Sequence, residues 1–196
     1  MNAVVTMGES HLAVIIPTME PFPDRRWQNM IGGLDSDGNP LPMSFEVLQS
    51  VAQDWETLVA ESTPSGVSNL LATARSLFAY SWFRYEFMVV GCLIALQALE
   101  AVFRQVLYPK VSENIPLKKL VEKAEKDGFI NSETADLIAT GADLRNSMSH
   151  PLDQSVFTPG MAAGVLRNIH HLISQLVVGR TSNSSEPEDC GSAGPK

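Results

Sequence analysis

The stretch SNLLATARSLFAYSWFRYEFMVVGCLIALQALEAVFRQVLY, residues 68–108, decides the fold. Apolar side chains recur at Leu70, Leu71, Ala74, Leu77, Phe78 and Trp82. They continue through Tyr85, Val89, Cys92, Leu96, Leu99 and Phe103. This is helical spacing, and no proline interrupts it, so it predicts one long helix or two with a break near Ser81–Arg84. Residues 87–99 are apolar on nearly all sides, which reads as a helix buried all round. The run from Phe87 to Leu96 is flanked by Arg84, Glu86 and Glu100 and is itself too short to span a bilayer.

Shorter helices are predicted on either side. Ser44 is placed to cap a helix over 45–60, whose apolar positions are Phe45, Leu48, Val51, Trp55 and Leu58. Downstream, Pro116 suits a first helical position, and Leu117, Leu120, Val121 and Ala124 follow before Gly128 ends the turn. Asn131 can cap the next helix, with Leu137, Ile138, Leu144 and Met148 facing the core, and Pro151 stops it. Thr158-Pro159 opens a last helix with a stripe of Val165, Leu166, Ile169, Leu172, Ile173, Leu176 and Val177, closed at Gly179. The reading is an all-α bundle of about five core helices over 64–180. It is preceded by an extension, 1–63, with an irregular arm, and followed by a disordered acidic tail, 181–196. Within the arm, His11–Ile16 reads as a short strand and the Pro- and Gly-rich stretch after it as turns.

Charge is uneven. Residues 1–63 carry a net −7 and residues 181–196 a net −2, while the bundle is near neutral at +1. Such a balance argues against long duplex DNA held by phosphate neutralisation. Cys92 lies in an apolar run and Cys190 in the polar tail, so no disulfide framework is read, and no Cys/His spacing suggests a metal. No signal peptide or membrane segment is read either, and the expectation is a cytoplasmic protein.

The chemistry concentrates at Leu144-Arg145-Asn146-Ser147-Met148-Ser149-His150-Pro151. A guanidinium, an amide and an imidazole meet at the end of a helix. Asn146 and His150, four apart, share a face, whereas Arg145 and His150 are about 140° apart around the axis. One helix does not aim both at one atom, but two copies related by a two-fold axis can. An imidazole that titrates near neutrality can move a proton in phosphodiester cleavage, and Arg is shaped to hold the phosphate.

Around this motif the chain resembles the HEPN superfamily (higher eukaryotes and prokaryotes nucleotide-binding). The likeness rests on Leu99-Glu100-Ala101, Pro116-Leu117-Lys118-Lys119-Leu120, Gly128-Phe129-Ile130 and Leu144-Arg145-Asn146 ahead of His150-Pro151. It covers roughly residues 68–178 and leaves 1–63 outside. The resemblance implies an all-α homodimer in a prokaryotic cytoplasm. It also implies a metal-independent endoribonuclease of the toxin or phage-defence kind, needing no cofactor and leaving a 2′,3′-cyclic phosphate. The alternative it leaves open is a non-catalytic module that binds a nucleotide or a protein. Carried onto this chain, Arg145, Asn146 and His150 are the catalytic candidates, and Glu100 is the acid expected to orient Arg145. RNA or a nucleotide is the implied ligand, with an antitoxin or nucleotidyltransferase as a candidate partner.

Other clusters have plainer readings. Arg167, Asn168, His170 and His171 read as a solvated face of the last helix, with Arg167 and His171 alternatively lining the groove. Asp35, Asp37, Asn39 and Glu46 mimic a calcium loop, but Pro40 stands where its sharp turn needs Gly, so an Asp-Gly turn is preferred. Trp82, Phe83, Tyr85 and Phe87 read as core rather than a base-stacking platform. Lys118, Lys119, Lys123 and Lys126 read as a solvated face, alternatively touching an RNA backbone. The acidic arm is expected to cover the groove at rest.

Overall fold

The computed structural model describes residues 3–5, 14–16, 22–112, 114–136, 138–139, 141 and 158–183, and these are mostly helical. The order is β1 (Ala3–Val5), β2 (Val14–Ile16), β3 (Ile31–Leu34), β4 (Pro40–Pro42), α1 (Phe45–Asp54) and α2 (Ser65–Tyr80). Then come α3 (Phe87–Val102), α4 (Leu117–Lys126), α5 (132–136, with 138, 139 and 141 also helical) and α6 (Pro159–Asn183). β1 pairs antiparallel with β2, and β3 with β4.

The boundaries follow local chemistry. The Ser44 hydroxyl accepts the Val47 amide at 3.3 Å and starts α1, which ends in a 3-10 turn over Trp55–Leu58. Gly128, at φ +77°, ends α4: the Phe129 amide donates to the Ala124 carbonyl and the Gly128 amide to that of Glu125, the paired bonds of a left-handed helix stop. The Asn131 side chain accepts the Thr134 amide at 2.8 Å, and the Thr158 hydroxyl accepts the Met161 amide at 3.2 Å. The expected stop at Gly179 does not occur. α6 runs on to Asn183, since a single glycine in an exposed helical position costs less than the hydrogen bonds it would interrupt.

The long apolar stretch is two helices, broken by a turn over 81–86. α3 buries Met88, Cys92, Ala95, Leu96, Ala98, Leu99 and Val102 and packs against both α2 and α6. Gly91 allows the closest approach: a Cβ there would meet the Ala74 carbonyl oxygen of α2 at 2.9 Å. A π-helical segment over Phe103–Leu107 prolongs α3 to 21 residues, Phe87–Leu107, which by length and composition is enough to cross a membrane. The apolar run considered in the sequence stopped at Leu96 and was shorter. Half of the helix's most apolar window is buried inside the protein, as befits the central helix of a bundle.

The arm is partly built into this core. Trp27 is buried, and its indole N–H donates to the Ser81 carbonyl at 2.7 Å. The Asp24 amide donates to the Trp82 carbonyl, and the Asp24 carboxylate accepts the Tyr85 amide. Arg26 bridges Asp24 and Glu86 and lies over the Tyr85 ring. Trp82 and Tyr85 therefore pack against Trp27 at the α2–α3 turn, while Phe83 packs against Phe45. Phe87 is exposed. Residues 24–27 thus fasten the turn between α2 and α3. The Asp-Gly turn is present between β3 and β4, with Gly38 at φ +83° and the Asp35 carboxylate accepting the amides of Asp37 and Asn39.

Gly91→Ala should destabilise the protein by about 1–3 kcal/mol, because the new methyl strikes backbone rather than a flexible side chain. Gly164→Ala, at an α6 position with open space around it, should stabilise it by roughly 0.5–1 kcal/mol. Urea unfolding midpoints of the two variants check both, and equal shifts would contradict the α2–α3 contact.

Candidate functional site

Two polar residues stand where helix spacing calls for core. On α2, Arg75 follows Leu71 by four residues and precedes Phe78 by three, both of them buried. On α6, His170 stands in the same way between Leu166 and Ile173, and it is fully buried. The two meet, with Arg75 Nη1 3.3 Å from His170 Nε2. His170 Nδ1 lies 2.8 Å from the Leu166 carbonyl oxygen.

These contacts define the imidazole. The Leu166 carbonyl only accepts, so Nδ1 carries the proton. The Arg75 guanidinium only donates, so Nε2 presents its lone pair. Burial holds His170 down to about 4, against the opposing pull of the Leu166 carbonyl and with the help of the Arg75 charge. At neutral pH it is uncharged, donating through Nδ1 to Leu166 and accepting at Nε2 from Arg75. The Trp55 ring, 6.1 Å away, packs against it.

Arg75 opens on a cleft of about 240 Å³ between α1 and α2. Phe45, Gln49, Ala52, Gln53 and Glu56 line it from α1 and the turn after it, at positions that share one helical face. Ala72, Ser76, Ala79 and Tyr80 line it from α2. Ala52, Ala72 and Ala79 fall where larger residues would close the seam, so the space comes from small side chains. The Arg75 side chain is only 13% exposed, and burial lowers its proton affinity while Glu56 raises it. Glu56 Oε1 stands 3.8 Å from Arg75 Nη2, beyond hydrogen-bond range, and its side chain is 70% exposed.

The residues singled out in the sequence fare differently. Arg145, Asn146 and His150 lie outside the described residues. Glu100 binds Arg104 at 2.7 and 3.1 Å, four residues along α3, and Arg104 also donates to the Ile115 carbonyl, tying the loop before α4 to α3. Arg167 and His171 are exposed, with His171 beside Gln175, as expected of a solvated face. His170 does not belong to that face. The pattern that would have found it is its place in the series 166, 170, 173, 177, and the same test applied to 71, 75 and 78 finds Arg75.

The remaining groups are quieter. Lys118, Lys119, Lys123 and Lys126 are exposed, with Lys123 held by Asp127 and lying over Tyr108. The Cys92 thiol is pushed up to about 12 by burial. Among the described residues no three His, Cys, Asp or Glu side chains gather as a metal site. Comparison with family models, curated proteins and solved structures finds no match.

The buried neutral His170 has a consequence for stability. Unfolded, it takes a proton near pH 6.5; folded, only near 4. Stability contributed above pH 6.5 is therefore lost as pH falls toward 4, because the unfolded chain binds the proton first. Between pH 7.5 and 5 the protein should lose about 2 kcal/mol more than His170→Gln, which keeps a donor and an acceptor but cannot titrate. Urea unfolding of both proteins at the two pH values measures this, and equal losses would refute a neutral His170.

Proposed function

We propose that the chain is a HEPN-like homodimer that cleaves RNA without a metal ion, through Arg145, Asn146 and His150. The observation that supports it is the helical setting from which the motif departs. α5 is still helical at Gly141, and a Cβ on Gly141 would lie 3.2 Å from Leu96 Cδ2 of α3. Glu100 follows Leu96 by one turn of α3, and Arg145 follows Gly141 by four residues. The described part of α5 thus reaches Gly141 beside the central helix.

In this reading the ribose 2′-hydroxyl attacks the adjacent phosphorus, and the bond to the 5′-oxygen breaks. The products are a 2′,3′-cyclic phosphate and a 5′-hydroxyl. His150 takes the attacking hydroxyl's proton, and the His150 of the second copy supplies one to the leaving oxygen. Arg145 holds the charge that develops on the non-bridging phosphoryl oxygens, and Asn146 orients the phosphate by donating a hydrogen bond. The same fold without cleavage would be a module that binds a nucleotide or a protein, such as an antitoxin or a nucleotidyltransferase.

The purified protein should cut single-stranded RNA in EDTA and leave cyclic-phosphate ends. His150→Ala and Arg145→Ala should each lower the rate by at least about 100-fold with helical content unchanged, as loss of a proton-transfer or charge-stabilising group does. Intact RNA together with saturable nucleotide binding would replace the nuclease by the binding module. Cleavage that survives both substitutions would remove the motif from the mechanism.

A further inference from the structure

The α1–α2 cleft has two unlike ends. Phe45 and Tyr80, whose ring centroids are 5.8 Å apart, stand where α1 begins and α2 finishes. Glu56 and Arg75 stand toward the other end, where α1 has passed into its 3-10 turn. One end is aromatic and the other is charged. The charged end is incompletely matched: Arg75 has five N–H donors, yet among the described residues its partners are one imidazole nitrogen and a carboxylate at 3.8 Å. A mostly buried guanidinium with a distant counterion is poised for a closer oxyanion.

We infer that this cleft binds a small carboxylate carried on an apolar or aromatic body, with the carboxylate on Arg75 and the body packed against the Phe45–Tyr80 pair. The volume, about 240 Å³, admits a compact acid. A carboxylate matches the planar fork of Arg75. Gln49 and Gln53, four apart on the α1 wall, bring amide donors to the same seam. Glu56, mostly exposed, is free to swing into water when the ligand carboxylate takes its place. His170 serves as a positioning residue: its lone pair holds one arm of the guanidinium and leaves the other turned to the cleft. None of this rests on the RNA reading, because every residue involved lies outside the Arg145–His150 motif.

The test uses 4-phenylbutyrate as probe, with 4-phenylbutylamine and inorganic phosphate as comparisons, followed by calorimetry and by amide shifts of the full chain. The expected result is saturable binding of the acid, of order 1 mM or tighter, that shifts the amides of α1 and α2. Ala72→Phe, which fills the cleft from its exposed side, should abolish it. Arg75→Gln should weaken it at least tenfold, and Glu56→Gln, which removes the competing carboxylate, should strengthen it about threefold. Circular dichroism establishes that each variant is folded. No saturable binding by the folded wild type would overturn the inference. So would equal binding of the amine, which would make the cleft merely apolar. Equal binding of phosphate alone would overturn the role of the aromatic end, and a Glu56→Gln variant that binds more weakly would overturn the displacement of Glu56. RNA cleavage measured on the same preparations judges the nuclease reading separately.

Discussion

The close approach of α2 and α3 at Gly91 is the constraint from which the rest of the bundle follows. With no side chain at 91, the Ala74 carbonyl lies within contact of the α3 backbone. Two helices that near share one buried seam of small and medium residues. α6 packs on α3 along Cys92 and Ala162, whose backbone carbonyl is 3.8 Å from the Cys92 sulfur, and on α2 as well. A wider α2–α3 spacing would carry Arg75 away from His170 and pull α1 off the cleft. The turn that joins the pair is fastened from outside by Trp27 and Asp24, so the geometry of the seam is held at its end as well as along its length.

The polar pair within this packing sets register rather than adding much stability. Burying a guanidinium costs several kcal/mol of hydration, and a neutral imidazole returns only part of it. What the pair does is penalise sliding. Moving α6 by one turn toward its C-terminus or N-terminus would set Leu166 or Ser174 against Arg75. Leucine offers no side-chain acceptor, and serine offers a shorter reach. A seam of leucine and alanine alone would tolerate such a slip; one that contains Arg75 and His170 does not.

Much of the fold is legible in the sequence because most of its boundaries are set locally. Ser44, Gly128, Asn131 and Thr158 act where their own side chains or backbone angles dictate, and the break at 81–86 falls where the aromatic cluster interrupts the stripe. The stop at Gly179 and the role of the arm were not legible. The first depends on how small a penalty one exposed glycine carries, and the second on a long-range indole contact that no periodicity encodes. Of the site, the polar character of residues 167–171 is visible in the sequence, but residue type alone does not say which of them turns inward. Placed on the helix, His170 falls with Leu166 and Ile173, not with His171. Arg75 is hidden in the same way, as one charge within an apolar run.

The cleft and the motif also differ in where they belong in the chain. The proposed likeness to HEPN chains would cover the bundle from about residue 68, while one wall of the cleft is α1, from the extension before it. Arg75 and Ala79 would be a surface feature without α1, and α1 would have no floor without them. The cleft is therefore a product of joining the extension to the bundle, and a ligand in it would touch both. Any molecule that binds there and not to the unfolded chain would stabilise the docking of α1 in proportion to the logarithm of one plus its concentration over its dissociation constant. Since Arg75 also holds His170, that stabilisation reaches α6, the helix that directly follows the segment carrying Arg145 and His150 in sequence.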